Sequence, residues 1–255
     1  MPKLQVYAEI GLDDGGCLLF TFDPPGLLAR GRSFDEAMEV GRSEVRALRR
    51  FLAQGGCLGL LQEAWGEGQS PEIVVAETVR RRGRVGNGGT RATFKRDFVP
   101  VRPEDTPGLL GLMRHMRATL WTLKDRIPPE AYAFRSLPRR GAIGEQLAHI
   151  AACDRWYLSC FWDDLPRLRR SRDVWDKLVL NRDLALEKLG NLAPEECGAA
   201  RKAGQQTWTP RKLFRRFLYH ERFHRDTVER DLALFLAGGE NRRELTFPPN
   251  PSAAR

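Results

Sequence analysis

Histidine is scarce in this 255-residue chain: four are present, at positions 115, 149, 220 and 224. Cysteine is sparse as well. Five thiols, at 17, 57, 153, 160 and 197, are scattered and form no CxxC pair. That pattern excludes a cysteine-based zinc finger and reads as reduced, core-filling thiols. No apolar run approaches the ~20 residues of a membrane-spanning helix. Met1-Pro2-Lys3-Leu4-Gln5-Val6 passes directly into a strand pattern rather than a secretory leader. A cytoplasmic location without a membrane partner is therefore expected. Lysine is rare too: 35 of the 42 basic residues are arginine, and the net charge is +9. Arginines cluster at 80–84, 167–172 and 211–216 without a helix-turn-helix, an RNA-binding signature or interleaved aromatics. Nucleic acid is not an expected partner, and these arginines read as solvated helix faces.

The length allows one large or two modest domains. Leu4, Val6, Ala8 and Ile10 alternate with Gln5, Tyr7 and Glu9, which predicts a strand with one buried face. Asp13-Asp14-Gly15-Gly16 supplies a turn, Cys17–Phe22 the returning strand, and Pro24-Pro25-Gly26 its end. Ser33-Phe34-Asp35-Glu36 is a capping box that opens a helix to about Leu52, before Gly55-Gly56. Ile73–Val79 predicts a third strand and Thr93–Val99 a fourth. Tyr7, the Asp13–Gly16 turn, Phe22-Asp23-Pro24-Pro25-Gly26, Gly31 and Ser33-Phe34-Asp35-Glu36-Ala37 together resemble the HicB-like antitoxin domain over residues 1–80. The resemblance implies a small ββαβ fold. Without the DNA-binding module that usually accompanies it, the implied role is scaffolding or assembly, and a homo-oligomer is expected.

Pro100, Pro103 and Pro107 mark a boundary, so the expected domains are 1–100 and 101–255. Beyond the prolines the pattern turns helical. Expected helices cover about Thr106–Arg126, Ala142–Phe161 and Arg172–Leu189, with a fourth opening at Thr209-Pro210 behind Trp208. Four amphipathic helices predict an up-and-down bundle, so the fold class is α+β.

His220 and His224 stand four residues apart on an otherwise apolar stripe, which aims both rings at one point. They are either metal ligands or core histidines satisfied by hydrogen bonds. His149 shares a face with Gln146, Cys153 and Tyr157 and is expected to look into the same bundle, whereas His115 lies beside its stripe and reads as structural. Gln146-Leu147-Ala148-His149-Ile150-Ala151-Ala152-Cys153-Asp154-Arg155-Trp156-Tyr157, followed by Trp208-Thr209-Pro210-Arg211-Lys212 and His220-Glu221-Arg222-Phe223-His224, resembles the DinB-like (YfiT-like) four-helix-bundle family over residues 104–237. The resemblance implies a divalent metal, zinc, nickel or iron, on His149, His220 and His224. It also implies a metal-dependent enzyme that transfers a low-molecular-weight thiol to a small electrophilic substrate. Free imidazoles would give up such a metal below about pH 6. Arg155, Arg216 and Arg222 are candidates for positive charge around an anionic thiol.

Two neighbours of the histidines are kept as further site candidates. Cys153 is a possible fourth ligand or redox partner, and Glu221 a supporting carboxylate. His220-Glu221-x-x-His224 also satisfies the HExxH motif of zinc peptidases, with Glu244 as a downstream ligand. Against that reading, glycines and prolines interrupt the chain beyond His224. A non-enzymatic metal-dependent sensor or a toxin–antitoxin-like interaction protein is the alternative of a different class.

Overall fold

A computed structural model of the chain describes residues 2–60, 71–83, 90–137 and 141–238. Three strands come first: β1 (Lys3–Gly11), β2 (Cys17–Phe22) and β3 (Pro25–Gly31). The β1–β2 turn closes with Gly15 at φ 64°, a left-handed conformation that favours glycine. Asp14 Oδ1 accepts from Gly16 N at 3.0 Å. Helix α1 (Phe34–Gln54) follows, then β4 (Glu72–Arg81), parallel to β1. The sheet order is β3-β2-β1-β4. Ser33 Oγ caps α1 through Glu36 N at 3.2 Å, and Glu36 returns to the N–H of Arg32 at 2.8 Å. Gly31 is needed where β3 meets α1: a Cβ there would lie 2.3 Å from Ala37 N.

Two elements of this region differ from the sequence expectation. The chain does not stop at Pro24-Pro25-Gly26 but doubles back as β3, with Pro25 at the start of an edge strand, where its missing N–H is tolerated. Residues 93–99 are not a strand. Asp97 Oδ2 accepts from Phe94 N at 2.8 Å, and a 3₁₀ turn forms at Lys95–Phe98. Strands β1 and β2 are also buried on both faces rather than one. Leu4, Val6, Ala8 and Leu19 face α1, while Tyr7, Phe20 and Phe22 pack under Phe94 and Tyr219. Glu9 is fully buried and accepts from the backbone N–H groups of Arg91 (3.0 Å) and Ala92 (3.3 Å) and from the Thr90 hydroxyl, which fastens this cover onto the sheet, and from Arg81 of β4.

Four long helices follow: α2 (Thr106–Trp121), α3 (Ile143–Ser159), α4 (Val174–Gly190) and α5 (Pro210–Leu236). In space α3 packs on α4 and α5, and α2 packs on the same two, closing a four-helix array. A short hairpin, β5 (Arg201–Ala203) and β6 (Gln206–Trp208), leads into α5 and has no counterpart in the sequence reading. The coarse α+β class therefore holds. The change from strands to helices occurs near residue 100, yet the apolar core is not divided there: Leu4, Leu19, Leu48, Leu112, Met116 and Phe217 belong to one cluster.

Helix α5 explains that continuity. Residues 210–221 are all buried, because the sheet and its cover lie on one side and the other helices on the rest. The arginines of this segment are consequently not a solvated face. Arg215 pairs with Asp97 at 2.7 Å, Arg211 donates to Val99 O at 2.8 Å, and Arg216 donates to Thr90 O at 2.6 Å. Buried cations need such partners. Among the described residues, no helix is long and apolar enough to cross a membrane.

Candidate metal centre

Thr209 starts α5 by accepting from Lys212 N at 3.1 Å, with Pro210 at the first helical position. Three turns later the helix delivers His220 and His224, whose ring centroids are 4.3 Å apart. Helix α3 lies alongside and brings His149, at 4.9 Å from His220 and 4.7 Å from His224 between ring centroids. Ligand nitrogens of the three rings all lie within 4.8 Å of one another. The Nε2 atoms of His149 and His220 face each other at 3.1 Å.

The three rings differ in exposure. His220 is buried, His224 is half-buried and His149 is exposed. The expectation that all three look into the bundle core is corrected by His149, which is exposed on α3 like Ala148 and Ala152, although its ring meets those of His220 and His224. Desolvation favours the neutral form most strongly at buried His220 and half-buried His224, and more weakly at exposed His149. His224 is pushed down to about 3 by burial and then by His149. His220 is held well below its usual range by burial, then by His224 and Arg216. His149 is lowered by burial. Neutral imidazole is the ligand form, and this site resists protonation to a lower pH than free imidazole.

The donor set suits a divalent transition metal. With metal–nitrogen bonds of ~2.05 Å, a tetrahedral ion needs nitrogen pairs roughly 3.4 Å apart. The 3.1 Å pair is close to that value, and His149, in solvent, is the ring freest to turn. Three imidazoles leave one tetrahedral position open. They accept zinc, nickel or iron alike.

Cys153 sits beside His149, with Sγ 3.5 Å from Nε2 and 3.7 Å from Nδ1. It is not one of the mutually close ligand atoms. Burial raises its thiol to about 12 against the opposing pull of Arg216, so it is a protonated neighbour rather than a thiolate.

Glu221 does not face the histidines. Its carboxylate accepts from Arg117 Nε at 2.6 Å and from Arg182 Nη2. Asp154 completes a buried tetrad, bound to Arg117 at 2.8 Å and Arg182 at 3.1 Å. Burial alone would raise the Glu221 carboxyl, but Arg117 and Arg182 together hold it below the ordinary carboxylate value. A peptidase glutamate must reach a water at the metal, and this one is spent on two guanidiniums. The downstream candidate Glu244 lies outside the described residues. His115 is remote from the cluster and stacks on Phe51, ring centroids 4.4 Å apart.

Each arginine suggested for the rim is hydrogen-bonded within the protein, and Arg216 stays near enough to His220 and Cys153 to act on their charge. Arg216 donates to Tyr157 Oη at 3.1 Å, Arg222 bonds Glu44 and Gly26 O, and Arg155 donates to Pro166 O at 3.0 Å. Two groups of residues escaped the sequence reading. Gln146 contacts His224 directly, and Arg117, Asp154 and Arg182 occupy the core. Each stands in an apolar stripe: Arg117 between Met113 and Leu120, Asp154 between Ile150 and Leu158, Arg182 between Leu178 and Ala185. A charge at a core position was the available signal.

No protein-family model, curated protein or solved structure matches the chain.

Proposed function

We propose that His149, His220 and His224 hold one divalent metal ion, and that the centre serves thiol transfer to a small electrophile, as the DinB-like resemblance implies. The observation that carries metal binding is the convergence of three neutral imidazoles within 4.8 Å, one of them open to solvent. When bound, such an ion supplies Lewis acidity and lowers the pKa of a thiol or water at its free position. The chain's own contribution is placement. His220 is held by the buried part of α5 and half-buried His224 lies one turn further on, while His149 closes the site from α3. Tyr157, its ring centroid 5.5 Å from that of His220, walls the inner side and excludes water there. The HicB-like region would act as a scaffold, since its sheet packs on the same helix that carries two ligands.

Metal analysis of tag-free protein prepared without chelator tests the first part. One equivalent per chain is expected, lost in His149→Ala, His220→Ala or His224→Ala and kept in His115→Ala. Undiminished metal in all three variants would overturn the site. For the reaction, metal-loaded protein should accelerate conjugation of a small thiol to a chloronitrobenzene. Equal rates with and without metal would remove the thiol-transfer reading while leaving the site.

A further inference from the structure

We infer that Gln146 is a positioning residue of the centre, which fixes the tautomer of His224 so that its Nε2 is the nitrogen offered to the metal. The inference rests on the metal-site reading above.

His224 Nδ1 lies 2.5 Å from Gln146 Oε1. An amide oxygen can only accept, so Nδ1 carries the proton and the lone pair is left on Nε2. The amide's own orientation is set from its other end, where Gln146 Nε2 donates to Gly141 O at 3.3 Å. Flipping the amide would set its oxygen against the Gly141 carbonyl, so the Gly141 bond selects the orientation in which Oε1 meets Nδ1. Gln146 is 9 % exposed, so water does not readily replace it as the acceptor. The result is a directional chain from the Gly141 carbonyl through the amide to Nδ1–H. His149 and His220 already direct their Nε2 atoms at each other. With His224 held in the Nδ1–H form, Nε2 is the one nitrogen of that ring left to join the cluster. The opposite tautomer would turn an N–H toward the metal and remove a ligand. An acceptor on the non-coordinating nitrogen also raises ligand basicity and fixes ring orientation.

Two measurements on the full-length protein test this, one of which needs no metal. In metal-free protein, ¹⁵N spectra of the imidazoles should show His224 in the Nδ1–H form. In Gln146→Leu, which keeps the side-chain size and removes the acceptor, the spectrum should shift to the Nε2–H form that unconstrained imidazole prefers. A chelator-buffered zinc titration should then show affinity about 10- to 100-fold weaker in Gln146→Leu. Gln146→Glu, which restores an acceptor, should return it to the wild-type value or above. Wild-type protein with His224 in the Nε2–H form would overturn the inference. So would Gln146→Leu binding zinc like wild type, or Gln146→Glu binding as weakly as Gln146→Leu. Failure of the metal reading itself looks different: His224→Ala would then bind zinc as tightly as wild type, whatever the tautomer.

Discussion

His220 and Glu221 are adjacent on α5 and meet opposite fates. Glu221 enters a closed tetrad in which Arg117, Asp154 and Arg182 satisfy its charge. His220 enters a cluster of uncharged rings with one member in solvent, and among the described residues its Nε2 has only another imidazole nitrogen facing it, 3.1 Å away. One residue of helix advance, about 100°, separates a group whose bonding capacity is used up from one whose capacity is left over. Saturated polar clusters fix structure, and unsaturated ones are where a ligand can be added. The helix holds its position through the first and offers chemistry through the second.

That contrast can be broken most forcefully at the tetrad. Glu221→Ala leaves two buried guanidiniums on one carboxylate and should cost about 3–5 kcal/mol of unfolding free energy in urea titrations. A loss below about 1 kcal/mol would mean that the tetrad is not structural. Next in size is the effect of metal. Zinc at one hundred times its dissociation constant should stabilise the wild-type chain by about 2.7 kcal/mol. His220→Ala should show no such increment in the same thermal or urea titration. An increment retained in His220→Ala would make the two neighbours alike.

Acid should separate the regions further in metal-free protein. The imidazoles are depressed in the folded chain, so the unfolded chain binds protons first as pH falls through about 6.5. Stability from His224 is therefore complete above that pH and declines toward about 3, by at most ~1.4 kcal/mol per pH unit for one fully buried histidine. Its partial exposure narrows the pH range over which that slope applies. Glu221 is lowered as well. Its contribution is present above the ordinary carboxylate range and is lost only as pH falls below it. His224→Gln should reduce the slope of the stability profile between pH 6 and 5, the remainder coming from His220 and His149, and leave the steeper fall below pH 4 intact. A wild-type profile that is flat between pH 6.5 and 5 would sink the assignment of neutral rings. The smallest effect belongs to His115, which touches neither region. His115→Ala should cost about 0.5–1.5 kcal/mol through its ring contact with Phe51 and leave zinc binding unchanged by equilibrium titration.

Much of this was legible in the residues and some was not, for identifiable reasons. The start of α5 at Thr209-Pro210 and the pairing of His220 with His224 follow from capping and from a period of 3.6 residues. So does the capping box at Ser33, although Glu36 closes it on Arg32 rather than on Ser33. Strand β3 was hidden because Pro24-Pro25-Gly26 reads as an ending, whereas an edge strand can begin on a proline. The arginines of 211–216 looked solvated because polarity alone does not reveal that a sheet covers one side of their helix and a bundle the other.

Local periodicity placed His220 and His224 on one helical stripe, and Gln146 and His149 on one face of another helix. Distance along the chain hid the rest: His149 lies 71 residues before His220, and Gln146 lies 78 before His224. A helix's own hydrogen bonds determine which of its residues share a face. They do not determine how the helix is rotated against its neighbours, or whether an acceptor waits opposite a given nitrogen. The packing of α3 on α5 decided that His149 stays in solvent and that Gln146 meets Nδ1 of His224. The packing of α2 and α4 decided that Glu221 meets two arginines. Residues 220 and 221 differ in role because tertiary contacts surround a helix unevenly, and the sequence carries no direct record of that azimuth.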